Sequence, residues 1–350
     1  MRPRSGLSRT HRPAPSGRRP ATARWVLERV RDLTGREGAE PPRLVRDTTD
    51  FMAVDHGDVV ALGRERYLVT GTERERRFTL EDEPKFWVKR ALDLRTGRRT
   101  ILKMVFQEAF RARVGGREFV CQRSAEKEAR VLRLVRGDLR FMQGLAVRDS
   151  RRNLVRVLDF IEGQDLITHI DALAMSHEAY VQVALPGLTA LTVEALEAIG
   201  RLHAEGLCHG DIRNDHILVD ATSGRFRWID FDLTESSLEF DLLSLGNVLH
   251  FVAGKGFTTF AEALAARPEL SGSFDDEDAS VFFTHRVMNL RKVFPHLPRR
   301  LNAVLMRFSA GARVRYSSVG QIIEDLGDCA AAMGWPTRPP AAPGSSLPGR

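Results

Sequence analysis

The chain has 350 residues, 43% hydrophobic and 28% charged, which is enough for one large domain or two lobes with an ample buried core. This composition excludes a disordered or collagen-like chain, and no apolar run approaches the ~20 residues that span a bilayer or forms a signal-peptide core near the start. The net charge of +7 is local: residues 1–24 carry seven arginines (Arg2, Arg4, Arg9, Arg12, Arg18, Arg19, Arg24) and no acid, and the other 46 Lys and Arg are matched by 46 Asp and Glu.

The near-neutral remainder argues against a specific nucleic-acid surface, and the Pro/Arg/Ser stretch reads as a solvated, disordered arm suited to weak contact with acidic partners. Cys121, Cys208 and Cys329 are odd in number, widely spaced and without metal-ligand spacing, which fits a reducing, cytoplasmic compartment.

In chain order, RWVLERVRDLT (24–34) places Trp25, Val26, Val30 and Leu33 at helical spacing, and GAEPPRL (38–44) reads as a linker. Strand patterns follow at VVALG, RYLVTG, FWVKRALD and RTILKMVF, the last two closed into an antiparallel hairpin by a Thr96-Gly97 turn. Residues 122–136 (QRSAEKEARVLRLVR) predict a helix capped by Ser124. GLAVRDS and NLVRVLDFIEG predict two more strands. Beyond Gly163 the pattern is mainly helical, interrupted by HILVD and FRWIDFD, and 336–350 is a Pro/Gly/Ser-rich tail expected to be disordered.

The stretch HAEGLCHGDIRNDHILV (203–219), followed by WIDFDL, sets Asp211 and Asp230 at the ends of two short apolar runs. Two carboxylates so placed suit a metal–nucleotide site, one orienting a hydroxyl nucleophile and the other holding Mg²⁺ against phosphate oxygens. Tyr67, Trp87, Trp228, Cys208, His250 and Phe251 read as packing residues, and His203 as part of a helix.

In the order and spacing of these segments, residues 57–328 resemble a bacterial member of the protein-kinase-like phosphotransferase superfamily. ALDLRTGRRTILKMVF is similar to the second and third strands of the small lobe, with Lys103 at the ATP-contacting lysine. EARVL resembles helix C and puts Glu128 (or Glu126) opposite that lysine, and VLDFIEGQDL is similar to the hinge. AIGRLHAEGLCHGDIRNDHILVD resembles helix E and the catalytic loop, DLLSLGNVL helix F, and RYSSVGQIIEDL the end of the large lobe.

The resemblance implies an α+β, two-lobed fold. A basic arm with a short helix (1–45) would precede a small β-rich lobe with helix C (46–162), a larger, mostly helical lobe (163–330) and a tail (331–350). It implies an ATP site of Val88, Ile101, Lys103, Glu128, Asp159, Ile161 and Leu218, with main-chain groups of Asp159 and Ile161 meeting adenine. Asp211 would accept the hydroxyl proton, Arg213 would stabilise charge on the transferred phosphate, and Asp230 would hold Mg²⁺. His209 would support the backbone of the metal aspartate, and Asp241 would tether the catalytic loop.

Three departures from the family stand out. Where it places a glycine-rich loop, this chain has Gly71 and then TERERRFTLEDEP, so Arg74, Arg76 or Arg77 is a candidate phosphate contact alongside the plain reading of a solvated charged loop. The metal-binding Asn is replaced by His216, five residues after Asp211; imidazole suits Mn²⁺ better than Mg²⁺, and some lipopolysaccharide-core sugar kinases carry His there. Only TESSLEF separates DFDL from DLLSLG, leaving no room for an activation loop, and Asp232 replaces the glycine of D-F-G. The short connection resembles sugar and antibiotic kinases and small atypical protein kinases. The expected activity is ATP-dependent phosphorylation of protein Ser or Thr. The alternatives are a small-molecule hydroxyl as acceptor, or an ATP-binding pseudokinase scaffold.

Overall fold

The computed structural model describes residues 22–35, 41–75, 83–114, 117–234 and 237–339. The fold is α+β. Helix α1 (Ala23–Thr34) is capped by the Thr22 hydroxyl and ended by Gly35 in the left-handed region. It buries Val26 and Val30 against Val59, Leu68 and Leu94, so it docks on the sheet rather than standing apart.

The main sheet has seven strands: β1 (Leu44–Val45), β2 (Val59–Leu62), β3 (Glu65–Glu75), β4 (Glu83–Asp93) and β5 (Arg99–Lys103), closed by two later ones. The predicted β4–β5 hairpin is present, with Gly97 at φ 73° in its turn. Between β5 and the next helix lies a hairpin that the sequence reading missed, β6 (Ala109–Val114) and β7 (Arg117–Arg123). Gln122 and Arg123, expected in a helix, therefore end a strand, and helix α2 begins one residue after its Ser124 cap (Ala125–Leu134). The missed signal was Gly115-Gly116 between runs of alternating charged and apolar residues.

Strands β8 (Gly144–Arg148) and β9 (Leu154–Asp159) complete the order β1-β2-β3-β4-β5-β9-β8. Side chains alternate across β9, so Val155 and Val157 join a core of Val60, Leu62, Val69 and Leu102 while Leu158 faces the helical core.

The chain then forms β10 (Gly163–Asp165), α3 (Leu166–Asp171), α4 (His177–Val183) and α5 (Leu185–Ala204). Strands β11 (Ile217–Asp220) and β12 (Phe226–Trp228) pair beside β10, and β13 (Leu233–Thr234) pairs with β7. Helices α6 (Leu238–Gly254), α7 (Phe260–Ala266), α8 (Leu290–Val293), α9 (Arg299–Met306) and α10 (Val319–Met333) finish the fold.

Helix α6 is apolar on all sides because it runs through the centre of the larger core, with Leu245, Leu249 and Val252 packed among Leu196, Ile199, Leu305 and Ile322. No single helix among the described residues is long and apolar enough to cross a membrane; α4 and α5 pass such a test only jointly, across a 63° bend, and their apolar residues fill the core.

Candidate active site

A cleft of about 550 Å³ opens between the main sheet and the β10–β12 sheet. It is lined by Val88, Ile101, Lys103, Glu128, Asp159, Ile161, His216, Leu218 and Asp230, nine residues drawn from the expected site, together with Arg74 and Lys85. Val88, Ile101 and Leu218 supply apolar walls from three strands, and Lys103 ends β5 pointing inward.

Lys103 Nζ lies 3.0 Å from Glu128 Oε1 and 3.0 Å from Asp232 Oδ2, and it also pairs with Asp230. Glu128 is fully buried and receives Arg156 Nε at 2.8 Å on its other oxygen; Glu126 is exposed. Burial favours neutral Lys103, but the carboxylates of Asp230, Asp232 and Glu128 overcome it and hold its pKa above the ordinary lysine value. Burial opposes ionisation of Asp230 too, yet Lys103 and Lys85 keep that carboxyl well below the usual range. Asp232 goes the other way: burial and the neighbouring acids raise it, despite Lys103.

His216 sits between the two aspartates. Its Nδ1 is 2.8 Å from the Asp211 carbonyl oxygen, which can only accept, so Nδ1 carries the proton and Nε2 faces Asp230 Oδ2 at 3.6 Å. The loop before it is held from behind, because buried Asp241 at the start of α6 accepts the N–H groups of His209 and Gly210 at 2.7 and 2.8 Å. Lys127, next to Glu128 on α2, donates to the His209 carbonyl at 2.7 Å and to that of Leu233, tying the loop to β13.

Arg213 is not among the residues that line the cleft; its guanidinium pairs with Asp215, with Nε 3.0 Å from Oδ1. Asp211 also lies just beyond the lining and reaches the cleft through His216. His209 does not support the Asp230 backbone: its Nδ1 accepts the Asp211 N–H at 3.3 Å, and its ring packs on Phe231, with centroids 4.4 Å apart. Burial drops its pKa to about 3. The Asp159 N–H is already donated to the Gln143 carbonyl at 2.9 Å, so it is not open to a ligand. Arg76 and Arg77 lie outside the described residues.

Four residues of the network escaped the sequence reading: Lys85, Arg123, Lys127 and Arg156. Arg156 had a local signal, a lone charge within the apolar run LVRVL; Arg123 and Lys127 acquire their meaning only from Asp232 and the loop carbonyls more than 80 residues away.

No family model matches the chain. Over 148 residues, 42% of its length, the chain is 26% identical to the death-associated protein kinase dapk-1 of Caenorhabditis elegans. It spans 10% of that relative's length. The likeness is partial, and it is to a protein kinase.

Proposed function

We propose that the chain is an ATP-dependent phosphotransferase of protein-kinase-like build, with residues 46–162 as the small lobe, 163–330 as the large lobe, and a Ser or Thr hydroxyl of protein as acceptor. The observation that carries this reading is the buried Lys103–Glu128 pair, 3.0 Å long, beside Asp230 at the foot of the cleft. A buried cation held by a buried acid keeps its charge and position while a polyphosphate binds, which is what phosphoryl transfer asks of a protein.

The chemistry balances without a covalent intermediate. The acceptor oxygen bonds to the γ-phosphorus as the β–γ bridging P–O bond breaks, ADP departs, and the hydroxyl proton passes to the Asp211 carboxylate. Asp241 positions Asp211 by fixing the preceding backbone. Arg213, two residues after Asp211 and paired with Asp215, would stabilise charge on the transferred phosphate.

Among the described residues no group of three or more His, Cys, Asp or Glu side chains is disposed to hold a metal alone. Asp230 and His216 nevertheless offer an oxygen and a ring nitrogen on one side of the cleft, and Mg²⁺ in nucleotide sites takes most of its ligands from phosphate and water. The residues fit a metal that arrives with the nucleotide, Mg²⁺ or, given the imidazole, Mn²⁺. That metal would neutralise charge on the phosphates.

A small-molecule acceptor is the second reading, favoured by Gln164, Asp165 and Thr168, polar groups at the start of α3 that line the same cleft. The deciding experiment is transfer from γ-labelled ATP by the full chain with Mg²⁺ and with Mn²⁺, beside Asp211→Asn and Lys103→Met. Label on protein that is lost in both variants supports the protein-kinase reading. ATP binding without label on protein moves the acceptor to a small molecule or leaves a scaffold. Absence of both binding and transfer overturns the proposal.

A further inference from the structure

Lys85 stands on β4, and Asp230 lies 145 residues further along the chain, yet Lys85 Nζ is 3.2 Å from Asp230 Oδ2, with the two side chains 13% and 11% exposed. The same carboxylate already pairs with Lys103 through its other oxygen. Deeper in, Glu128, Asp230 and Asp232 are matched by Lys103, Arg123 and Arg156, apart from the half-exposed Glu108 on Arg123. Lys85 thus meets Asp230 from the sheet side of the cleft, outside the pairs that Lys103, Arg123 and Arg156 make deeper in.

Its position is built into the sheet. The β3–β4 ladder slips where Thr72 stands opposite Lys89 but Glu73 opposite Lys85, leaving Phe86, Trp87 and Val88 as extra residues on β4. The irregularity is pinned: the Trp87 ring stacks on Phe106 with centroids 4.1 Å apart, and the Trp87 carbonyl accepts the Met104 N–H at 2.7 Å. Beyond the slip, Glu73, Arg74 and Lys85 line the cleft from the sheet side. This is the end of the cleft where the chain lacks the run of glycines whose backbone N–H groups would cradle phosphate.

We infer that Lys85 is a phosphate-binding residue, a second lysine that stands in for a glycine-rich turn and exchanges the Asp230 carboxylate for the terminal phosphates of a nucleoside triphosphate. The inference rests on the phosphotransferase reading and deepens it. A lysine suits the exchange: its ammonium carries three donors on a flexible four-carbon stem, and Asp230 keeps it over the cleft until phosphate oxygens replace the carboxylate.

The test is equilibrium binding of MgATP, AMP and adenosine to the full chain as wild type, Lys85→Met and Lys85→Arg. Loss of one charge-assisted contact should weaken MgATP binding to Lys85→Met by about 10- to 100-fold, while AMP and adenosine stay within about twofold and Lys85→Arg recovers most of the loss. MgATP binding to Lys85→Met within about twofold of wild type overturns the inference and leaves the phosphotransferase reading standing. Equal weakening of adenosine also overturns it, showing a role in folding rather than in phosphate contact. Failure of the wild type to bind any of the three overturns the phosphotransferase reading itself.

Discussion

The Asp241 carboxylate accepts the backbone N–H of Gly210 at 2.8 Å, across 31 residues of sequence. The same fully buried group takes the His209 N–H and, at 2.9 Å, His203 Nε2. Burial alone would raise its pKa, and the bond from His203, with the Gly210 N–H behind it, helps to reverse that. Removing the acid strands two buried N–H groups, each costing about 1–3 kcal/mol. Asp241→Ala should therefore lower stability by about 2–6 kcal/mol in urea unfolding, and Asp241→Asn, which keeps one acceptor oxygen, by less. A loss below about 0.5 kcal/mol would mean that other groups satisfy the loop.

Gly210 has φ 85°, and a Cβ built there would run into the Leu233 carbonyl and crowd Lys127 Nζ. The position requires glycine on both counts: left-handed backbone and contact with a neighbouring chain segment. Gly210→Ala should cost at least the 1–3 kcal/mol typical of such strain, read as a drop in the urea midpoint without a change in slope. An unchanged midpoint would show that the loop and β13 are not packed as described.

Asp232 bridges Lys103 at 3.0 Å and Arg123 at 2.8 Å, and its carbonyl accepts the Ser124 N–H at 2.6 Å. One residue thereby joins β5, the β6–β7 hairpin and the cap of α2. Asp232→Gly, which restores the kinase-like D-F-G, should destabilise the chain toward the lower end of the roughly 3–5 kcal/mol seen when a buried pair loses one partner. The cost stays at that end because Lys103 keeps Glu128 and Arg123 keeps Glu108. Stabilisation on this substitution would show the buried carboxylate to be a net burden.

Burial lowers the pKa of His209 and His250 to about 3 and that of His177 to about 4. Their unfolded values lie near 6.5, so in mild acid the unfolded chain binds protons that the folded chain does not. The stability they contribute is complete above about pH 6.5 and is lost as the pH falls toward 4, by up to about 1.4 kcal/mol per pH unit for each. Burial acts the other way on the Asp138 carboxyl, raising it, but bonds from Arg140 and Arg201 hold its pKa at about 2, so its contribution is lost only below the ordinary aspartate range. Urea midpoints between about pH 7.5 and 4.5 should show the slope, and His250→Phe should flatten it. A flat wild-type profile across that range contradicts the burial of these rings.

Much of the candidate site was legible because its parts follow local rules. Lys103 ends an alternating strand, Glu128 falls on the buried face of a helix capped at Ser124, and Asp211 and Asp230 flank short apolar runs; their order along the chain suggested that they meet. Gln122 and Arg123 were misplaced because QRSAEKEARVLRLVR reads as helix from its first residue, whereas pairing with β6 and β13 holds both residues in a strand. Tertiary pairing outweighs local propensity of that kind.

Outside the β6–β7 hairpin, the sequence alone determined many of the elements and the residue types at their ends, since helical and strand periodicity, caps and turns depend on neighbours a few positions apart. Only the tertiary structure decided which charges face one another. Lys85 reaches Asp230 because a ladder slips by three residues, Arg213 pairs with Asp215, and Arg123 finds Asp232 across 109 positions. Such pairings are set by how sheets and helices pack and by the cost of leaving a buried charge alone, and neither leaves a periodic mark on the chain.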